Sequence, residues 1–390
     1  MRASYADCPI VLTSATPSLE SYHNTLIHKS SLLTLKEKYY QSTSPKIEVI
    51  NMLTQINKNS IFSDILLESI RETLHQKKQC ILLNNRRGYA TSIFSHKNQE
   101  PLLCNNCSVP MSFHKINNIL LCHYCNSQYS YNQLTKQKTN DNVVLNGYGT
   151  EKVYEILNSE FKNANIVRVD SDSLSSKNKL EKLLNDFSNG NIDIMIGTQM
   201  ISKGLDFNDV ELVGVINADY GMFTPDFRSG ERVFQIISQV IGRTGRRETR
   251  GKAIIQTYNP DNINLINAMD FNYKSFYAHN LAERNELQYP PFTRLCRITF
   301  IGDNIDQVFS VATKITQRLS QSKVFKVLGP AESPISKIKK MWRVNSLIIA
   351  SKNNPMAIQD EFISRIGISV LEKKYNQVQI KLDIDPINML

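Results

Sequence analysis

Long hydrophobic runs are missing from this 390-residue sequence. The longest apolar stretches, such as residues 210–216 and 347–350, fall far short of the roughly 20 residues a membrane-spanning helix requires. The residues after Met1 form no signal-peptide core, so a cytoplasmic protein without a membrane role is expected. A third absence excludes more. Nothing matches a Gly-rich phosphate-binding loop ending in Gly-Lys-Ser/Thr, and no acidic magnesium-binding motif follows a strand. A chain of this kind does not grip a nucleoside triphosphate by itself in the usual way.

What is present suits two or three globular domains. Hydrophobic residues make up 41% of the sequence, enough for real cores. The formal net charge is +10, and residues 291–390 hold 15 Lys/Arg against 8 Asp/Glu. A basic excess of this kind suits a polyanionic partner.

Residues 9–14 form an apolar run that predicts a buried parallel strand before the small-residue segment Ser14-Ala15-Thr16. Helical spacing is predicted over 61–75, and a core strand over 79–83 carries the segment Asn85-Arg86-Arg87-Gly88-Tyr89 beyond its carboxyl end. Helices are then expected over 150–161, 177–187 and 230–241, alternating with strands over 165–170, 192–196, 210–217 and 251–258. That alternation predicts a doubly wound parallel sheet. The polar stretch 95–142 interrupts it as an insertion. After residue 288 the pattern shifts to a smaller α+β domain, with strands near 297–301 and 347–350 and a helix over 306–320.

The insertion carries Cys104-x-x-Cys107 and Cys122-x-x-Cys125. Two such pairs in a reducing compartment predict one tetrahedral zinc rather than disulfides. Four thiolates fill the coordination sphere, so the expected role is structural, with His114 and His123 as bystanders.

The run Gln239-Val240-Ile241-Gly242-Arg243-Thr244-Gly245-Arg246 ends a predicted helix with two arginines. Motor proteins built from two lobes use such arginines to stabilise charge on a phosphoryl group held by the other lobe. Gln239, one turn earlier, is placed to contact nucleotide or the other lobe. A second constellation begins at the strand before Gly197-Thr198-Gln199 and continues through Lys203, Gly204 and Asp206. Backbone amides, a hydroxyl and a lysine in that order suit a nucleic-acid phosphate, and Asp206 suits pairing with an arginine near the nucleotide.

With these residues in view, the chain resembles the primosomal protein N′ (PriA) family of superfamily 2 DNA helicases. Similar stretches include residues 12–21, Asn85 to Ala90, Gly197 to Met200, Pro225-Asp226-Phe227-Arg228, Glu231-Arg232, 327–331 and 383–386. The resemblance implies ATP-driven 3′→5′ unwinding at stalled forks, with forked or single-stranded DNA and other primosome proteins as partners. It implies that the phosphate-gripping part is supplied elsewhere, by a separately encoded amino-terminal half, so that ATP/Mg²⁺ is held only with a complementary first lobe. By resemblance, Ser14, Ala15 and Thr16 couple hydrolysis to movement. The resemblance also implies that Thr198 faces the DNA strand and that Arg243 and Arg246 face ATP. Gln199, Lys203, Arg86 and Arg87 are expected to bind nucleic acid with Thr198, and Gln239 to contact nucleotide or the other lobe. Lys339 and Trp342 lie in a carboxyl-terminal domain that reads the fork.

The implied architecture is a RecA-like helicase lobe with a zinc-binding insertion, followed by a smaller α+β domain. Its expected boundaries are 1–45 for the end of the first lobe, 46–94 with 143–275 for the second, 95–142 for the zinc insertion and 276–390 for the last domain. Family members carry eight cysteines in two zinc sites. Here Ser95 and Asn98 stand where one outer pair belongs and no Cys-x-x-Cys follows Cys125, so one site is expected. Gly230, Ile241, Thr244 and Asn208 also depart from the usual motor motifs. Two other readings stay open: a non-enzymatic zinc-dependent DNA- or primosome-binding module, and a degenerate gene remnant.

Overall fold

The computed structural model describes residues 5–35, 45–55, 61–84, 92–95, 103–107, 111–114, 119–122, 125, 127–130, 143–146, 149–169, 177–198, 207, 209–219, 221–222, 226–244, 251–352, 357–367 and 375–389. A six-stranded, all-parallel sheet forms the centre of the larger part. Its strands are β1 (Lys46–Asn51), β2 (Gln79–Leu83), β8 (Ile166–Val169), β9 (Ile194–Gly197), β10 (Val210–Val215) and β11 (Lys252–Thr257), in the order β1-β11-β10-β2-β9-β8.

The uninterrupted apolar character of β2 and β9 has a direct cause. Successive side chains of a strand point to opposite faces, and both faces here are covered. Ile81, Leu83, Met195, Val213 and Val215 enter one cluster with Phe234, Ile237 and Ile241 of α5 (Ser229–Ile241). Cys80, Leu82, Ile194, Ile196 and Leu212 enter the other with Leu66 and Ile70 of α2 (Asp64–His75) and Val153 and Leu157 of α3 (Thr150–Glu160). Helix α2 starts where Ser63 caps it, its side chain accepting from the Leu66 N–H at 3.2 Å. That helix lies so close to β10 that a Cβ on Gly214 would meet Leu82 Cδ2 at 2.6 Å and Leu66 Cδ1 at 2.9 Å. A larger residue there would force both leucine side chains to shift. Helix α4 (Lys177–Ser188) lies between β8 and β9 in the chain.

The polar insertion folds into small antiparallel pieces. Strand β3 (Ser92–Ser95) pairs with β7 (Val143–Asn146), and β4 (Ser112–His114), β5 (Ile119–Leu121) and β6 (Gln128–Ser130) make a three-stranded sheet. After α6 (Ile263–Met269) and α7 (Tyr273–Glu286) the chain enters an antiparallel sheet of β12 (Thr293–Gly302), β13 (Phe325–Ile338), β14 (Met341–Ser351) and β15 (Gln379–Ile384). Their order is β13-β14-β12-β15. Helix α8 (Ile305–Ser320) packs Val308, Val311, Ala312, Ile315 and Leu319 onto Ile298, Phe300, Val344 and Ile348, and α9 (Ala357–Ile366) adds Ile358 and Phe362. No described helix is long and apolar enough to cross a membrane.

One expectation is corrected. Residues 9–14 form no strand, and Ile10, Val11 and Leu12 are 65%, 79% and 79% exposed. A strand needs a neighbour to satisfy its backbone groups and a face to bury, and no described strand lies alongside this run. The chain gains contacts just beyond it. Ser18 caps α1 (Leu19–Leu26), and Leu19 is fully buried in the same cluster as α5.

Candidate functional site

The Cys-rich centre is built from two tight turns. The Cys107 N–H donates to the Cys104 carbonyl at 3.2 Å, and the Cys122 N–H, directly after β5, donates to the Ser127 carbonyl at 3.0 Å. These turns bring the four sulfurs of Cys104, Cys107, Cys122 and Cys125 within 4.8 Å of one another, with Cys104 Sγ and Cys125 Sγ 3.7 Å apart. A tetrahedral zinc with bonds of about 2.3 Å needs sulfurs about 3.8 Å apart. The donor set therefore fits Zn²⁺, and its four thiolates leave no position for a catalytic water.

The surroundings of the sulfurs are polar and specific. Cys107 Sγ accepts the Lys339 N–H at 3.1 Å, and Ser127 Oγ lies 3.0 Å from Cys125 Sγ while accepting from Asn106 Nδ2 at 2.8 Å. Burial pushes the Cys107 thiol up to about 12, against the pull of the Lys339 N–H, and burial also raises Cys104. At Cys125 burial pushes upward too, but hydrogen bonds from Ser127 draw the thiol down to about 6. His114 is described in its backbone alone and His123 lies outside the described residues.

A second cluster surrounds α5. Its amphipathic face buries Val233, Phe234, Ile237, Val240 and Ile241, which leaves Glu231, Gln235 and Gln239 one turn apart along one side. All three meet the segment after Ser14. Gln239 Nε2 donates to Thr16 Oγ1 at 3.3 Å, Gln235 Nε2 donates to the Thr16 carbonyl at 3.4 Å, and Glu231 Oε1 accepts the Leu19 N–H at 3.3 Å. Tyr273 of α7 donates to the Pro17 carbonyl at 2.9 Å, and the Thr16 N–H donates to Ser14 Oγ at 3.1 Å. The helix ends at Gly242, followed by Arg243 and by Thr244, whose hydroxyl donates to the Ile241 carbonyl at 2.9 Å.

Glu231 is fixed from below by Arg284, a guanidinium only 3% exposed. Arg284 Nη2 donates to Glu231 Oε2 at 2.7 Å, and Nη1 donates to Glu20 Oε1 and the Pro290 carbonyl, each at 3.2 Å. Burial and the nearby Glu20 raise the Glu231 carboxyl, and Arg284 opposes them. Phe227 stacks on Tyr289 at 4.9 Å, with the guanidiniums of Arg228 and Arg284 at 4.2 and 4.9 Å from its ring. Asp226, Arg228 and Arg232 also hold the chain end. Arg228 donates to the Pro386 carbonyl at 2.9 Å, Arg232 to the Ile387 carbonyl at 3.1 Å, and Asp226 Oδ2 accepts the Met389 N–H at 3.2 Å.

The structure thus brings Gln239 together with Thr16, two residues singled out separately in the sequence. Thr198 directly follows β9 and is buried, and the neighbouring β2 is followed by Asn84, whose N–H donates to the Gly197 carbonyl at 2.9 Å. Lys339 and Trp342 belong to a different element, the β13–β14 hairpin, where Lys337 Nζ lies 4.7 Å from the Trp342 ring. Arg86, Arg87, Gln199, Lys203, Asp206, Asn208 and Arg246 lie outside the described residues. Arg284, Glu20, Ser127 and the Lys339 amide were not singled out from the sequence. Arg284, Glu20 and the Lys339 amide meet partners far along the chain, which no local pattern marks, whereas Ser127 lies two residues from Cys125 and its place beside a ligand was the available signal.

Three family models match: "Helicase conserved C-terminal domain" over residues 119–248, "Primosomal protein N C-terminal domain" over 285–387, and "PriA DNA helicase Cys-rich region (CRR) domain" over 104–128. A relative from Bacillus subtilis (strain 168), named Replication restart protein PriA, is 35% identical over 393 residues, covering 100% of this chain and 49% of the relative. The protein of the same name from Chlamydia pneumoniae is 36% identical over 395 residues, covering 99% of this chain and 52% of the relative. The chain spans about half the length of these curated relatives. Among solved structures, S. cerevisiae Dbp5 bound to RNA and ADP BeF3 is 17% identical, covering 69% of this chain and 49% of that one, with a TM-score of 0.35. A score that low carries no conclusion about this chain.

Proposed function

The chain belongs to the PriA replication-restart family, matching its carboxyl-terminal portion, and on that premise we propose that it supplies the arginine-bearing half of an ATP-driven 3′→5′ DNA helicase. The observation that carries this reading is the hydrogen bond from Gln239 to Thr16, with Gln235 and Glu231 on the same segment. A helix that presents arginines to nucleotide is thereby tied to the Ser14-Ala15-Thr16 segment that couples hydrolysis to movement. ATP and Mg²⁺ are held between this chain and a complementary first lobe carrying the phosphate-binding loop. Arg243 and Arg246 then stabilise charge developing on the transferred phosphoryl group.

In the same reading residues 1–45 complete the first lobe, 46–94 with 143–275 form the second, 95–142 is the zinc insertion and 276–390 the last domain. Thr198, Gln199, Lys203, Arg86 and Arg87 grip the DNA backbone, and Asp206 reports the nucleotide state to them. Lys339 and Trp342 contact forked or single-stranded DNA. The protein works in the cytoplasm with other primosome proteins, and four cysteines hold one structural Zn²⁺. The exposed run Ile10-Val11-Leu12 is where the rest of a first motor lobe pairs, since an uncovered apolar strand sequence seeks a sheet edge.

Mixing the chain with an amino-terminal PriA half that carries the phosphate-binding loop tests this. A one-to-one complex in sedimentation is expected, with protection of residues 10–14 from hydrogen exchange. No complex, together with salt-dependent binding of forked DNA by this chain alone, would favour the non-enzymatic binding module instead.

A further inference from the structure

The turn between β13 and β14 lies against the Cys-rich centre, far from it in sequence. Ile338 pairs with Met341, so Lys339 and Lys340 alone make the turn, and both take left-handed backbone conformations with φ of 49° and 67°. Two-residue hairpin turns of this type favour Asn-Gly, because side chains with a Cβ disfavour positive φ. Contacts from outside the hairpin help two lysines hold such a conformation. Here such contacts are visible. The Lys339 N–H donates to Cys107 Sγ at 3.1 Å, and the Lys340 N–H donates to the Asn106 carbonyl at 2.7 Å, while both lysine side chains point to solvent. The first Cys-x-x-Cys turn and the hairpin turn therefore share two backbone hydrogen bonds, one of them directly to a zinc-ligating sulfur.

We infer that the β13–β14 turn is part of the metal centre, its two backbone N–H groups acting as outer donors that hold the Cys104–Cys107 turn in its zinc-binding geometry. A donor to a ligating thiolate fixes the direction of the sulfur and offsets its negative charge, and such outer partners commonly matter 10–100-fold in metal affinity. Binding and turn geometry are then linked. Whatever the turn contributes to zinc holding, zinc returns to the turn. Lys337, Lys339, Lys340 and Trp342 are thereby displayed on a platform whose shape depends on the metal. The linkage goes beyond the helicase reading and stands apart from any nucleotide chemistry.

The test uses the full chain, with zinc content first fixed by elemental analysis. Hydrogen exchange at Lys339 and Lys340 is compared between the zinc-loaded chain and the same chain stripped by a chelator. At least a tenfold loss of protection is expected at the two turn amides, with residues 296–300 of β12 unchanged. Zinc affinity is then measured by competition with a chromophoric chelator. Lys339→Pro, which deletes the donor, is expected to weaken zinc by about tenfold. The Lys339→Asn, Lys340→Gly double variant keeps both N–H groups in a turn that suits them and is expected to bind zinc like the unaltered chain. Equal exchange with and without zinc overturns the inference, and so does unchanged affinity in Lys339→Pro. The exchange comparison in the unaltered chain decides the matter if Lys339→Pro disrupts the hairpin. A chain that holds no zinc at all would overturn the metal centre itself, an outcome distinct from a zinc-loaded chain whose turn ignores the metal.

Discussion

In the parallel sheet, β2 and β9 send alternate residues into two apolar clusters, so that each strand is gripped from both faces by helices. In the Cys-rich segment, β4, β5 and β6 are three residues each, and the described apolar burial amounts to Met111, Leu120, Cys104, Cys107 and Cys122. The first region is held by its own buried apolar surface. The second lacks the apolar surface to offset its chain entropy, and its four converging sulfurs supply what is missing once a metal joins them. Such a segment can thus hold a defined centre without an apolar core, provided a ligand-closed site and an outer contact, here the β13–β14 turn, support it.

The sharpest way to break this contrast is to remove the metal. Structural zinc in small modules is worth roughly 10–16 kcal/mol of apparent binding free energy. Cys104→Ser is therefore expected to make residues 95–142 protease-sensitive while the parallel sheet keeps its cooperative unfolding transition, as checked by limited proteolysis and circular dichroism. Loss of both regions together would contradict their separate means of support.

Acid should act on the metal centre before the sheet. Zinc binds thiolates, and burial raises the Cys104 and Cys107 thiols, so each expels a proton when zinc enters. Affinity therefore rises with pH. These two thiols alone contribute about a hundredfold per pH unit between pH 8 and 6, so the measured slope is expected to be at least that steep. The Cys125 thiol, drawn down to about 6, adds little over that range. Chelator competition at several pH values reads the slope.

Within the sheet region the largest single effect should come from Arg284. Truncating it to Ala strands the buried Glu231 carboxylate, and breaking such pairs costs about 3–5 kcal/mol. A chemical denaturation series checks this, with zinc stoichiometry expected to stay constant. Ser63→Ala removes only the cap of α2 and is expected to cost about 1 kcal/mol. A cost near zero would mean that water replaces the hydroxyl at the Leu66 N–H.

Much of this architecture was legible because its causes are local. The buried runs of β2, β9 and β10, the apolar spacing of α2 and α5 and the two Cys-x-x-Cys pairs each state their structure within a few residues. Other features depend on distant partners. The composition of residues 9–14 suggests a strand, yet without a described neighbour they form none and stay exposed. Gln239 was marked for its place beside two arginines, but its hydrogen bond to Thr16 spans 223 positions. Lys339 was marked for its charge, whereas the structure uses its backbone N–H on Cys107. Strand β13 went unmarked because Gly329 and Pro330 interrupt its pattern, and only pairing with β14 carries it across its register shifts.

The claim on which the account turns is that this chain holds the arginines and lacks the grip on ATP. ATP hydrolysis should therefore be measured with single-stranded DNA present, for the chain alone, for the chain with an added phosphate-loop half, and for the Arg246→Ala variant in each mixture. The account predicts no turnover by the chain alone, DNA-stimulated turnover in the mixture, and loss of that turnover in Arg246→Ala. Turnover by the chain alone that Arg246→Ala abolishes would contradict it, because the nucleotide would then be gripped by residues within this chain.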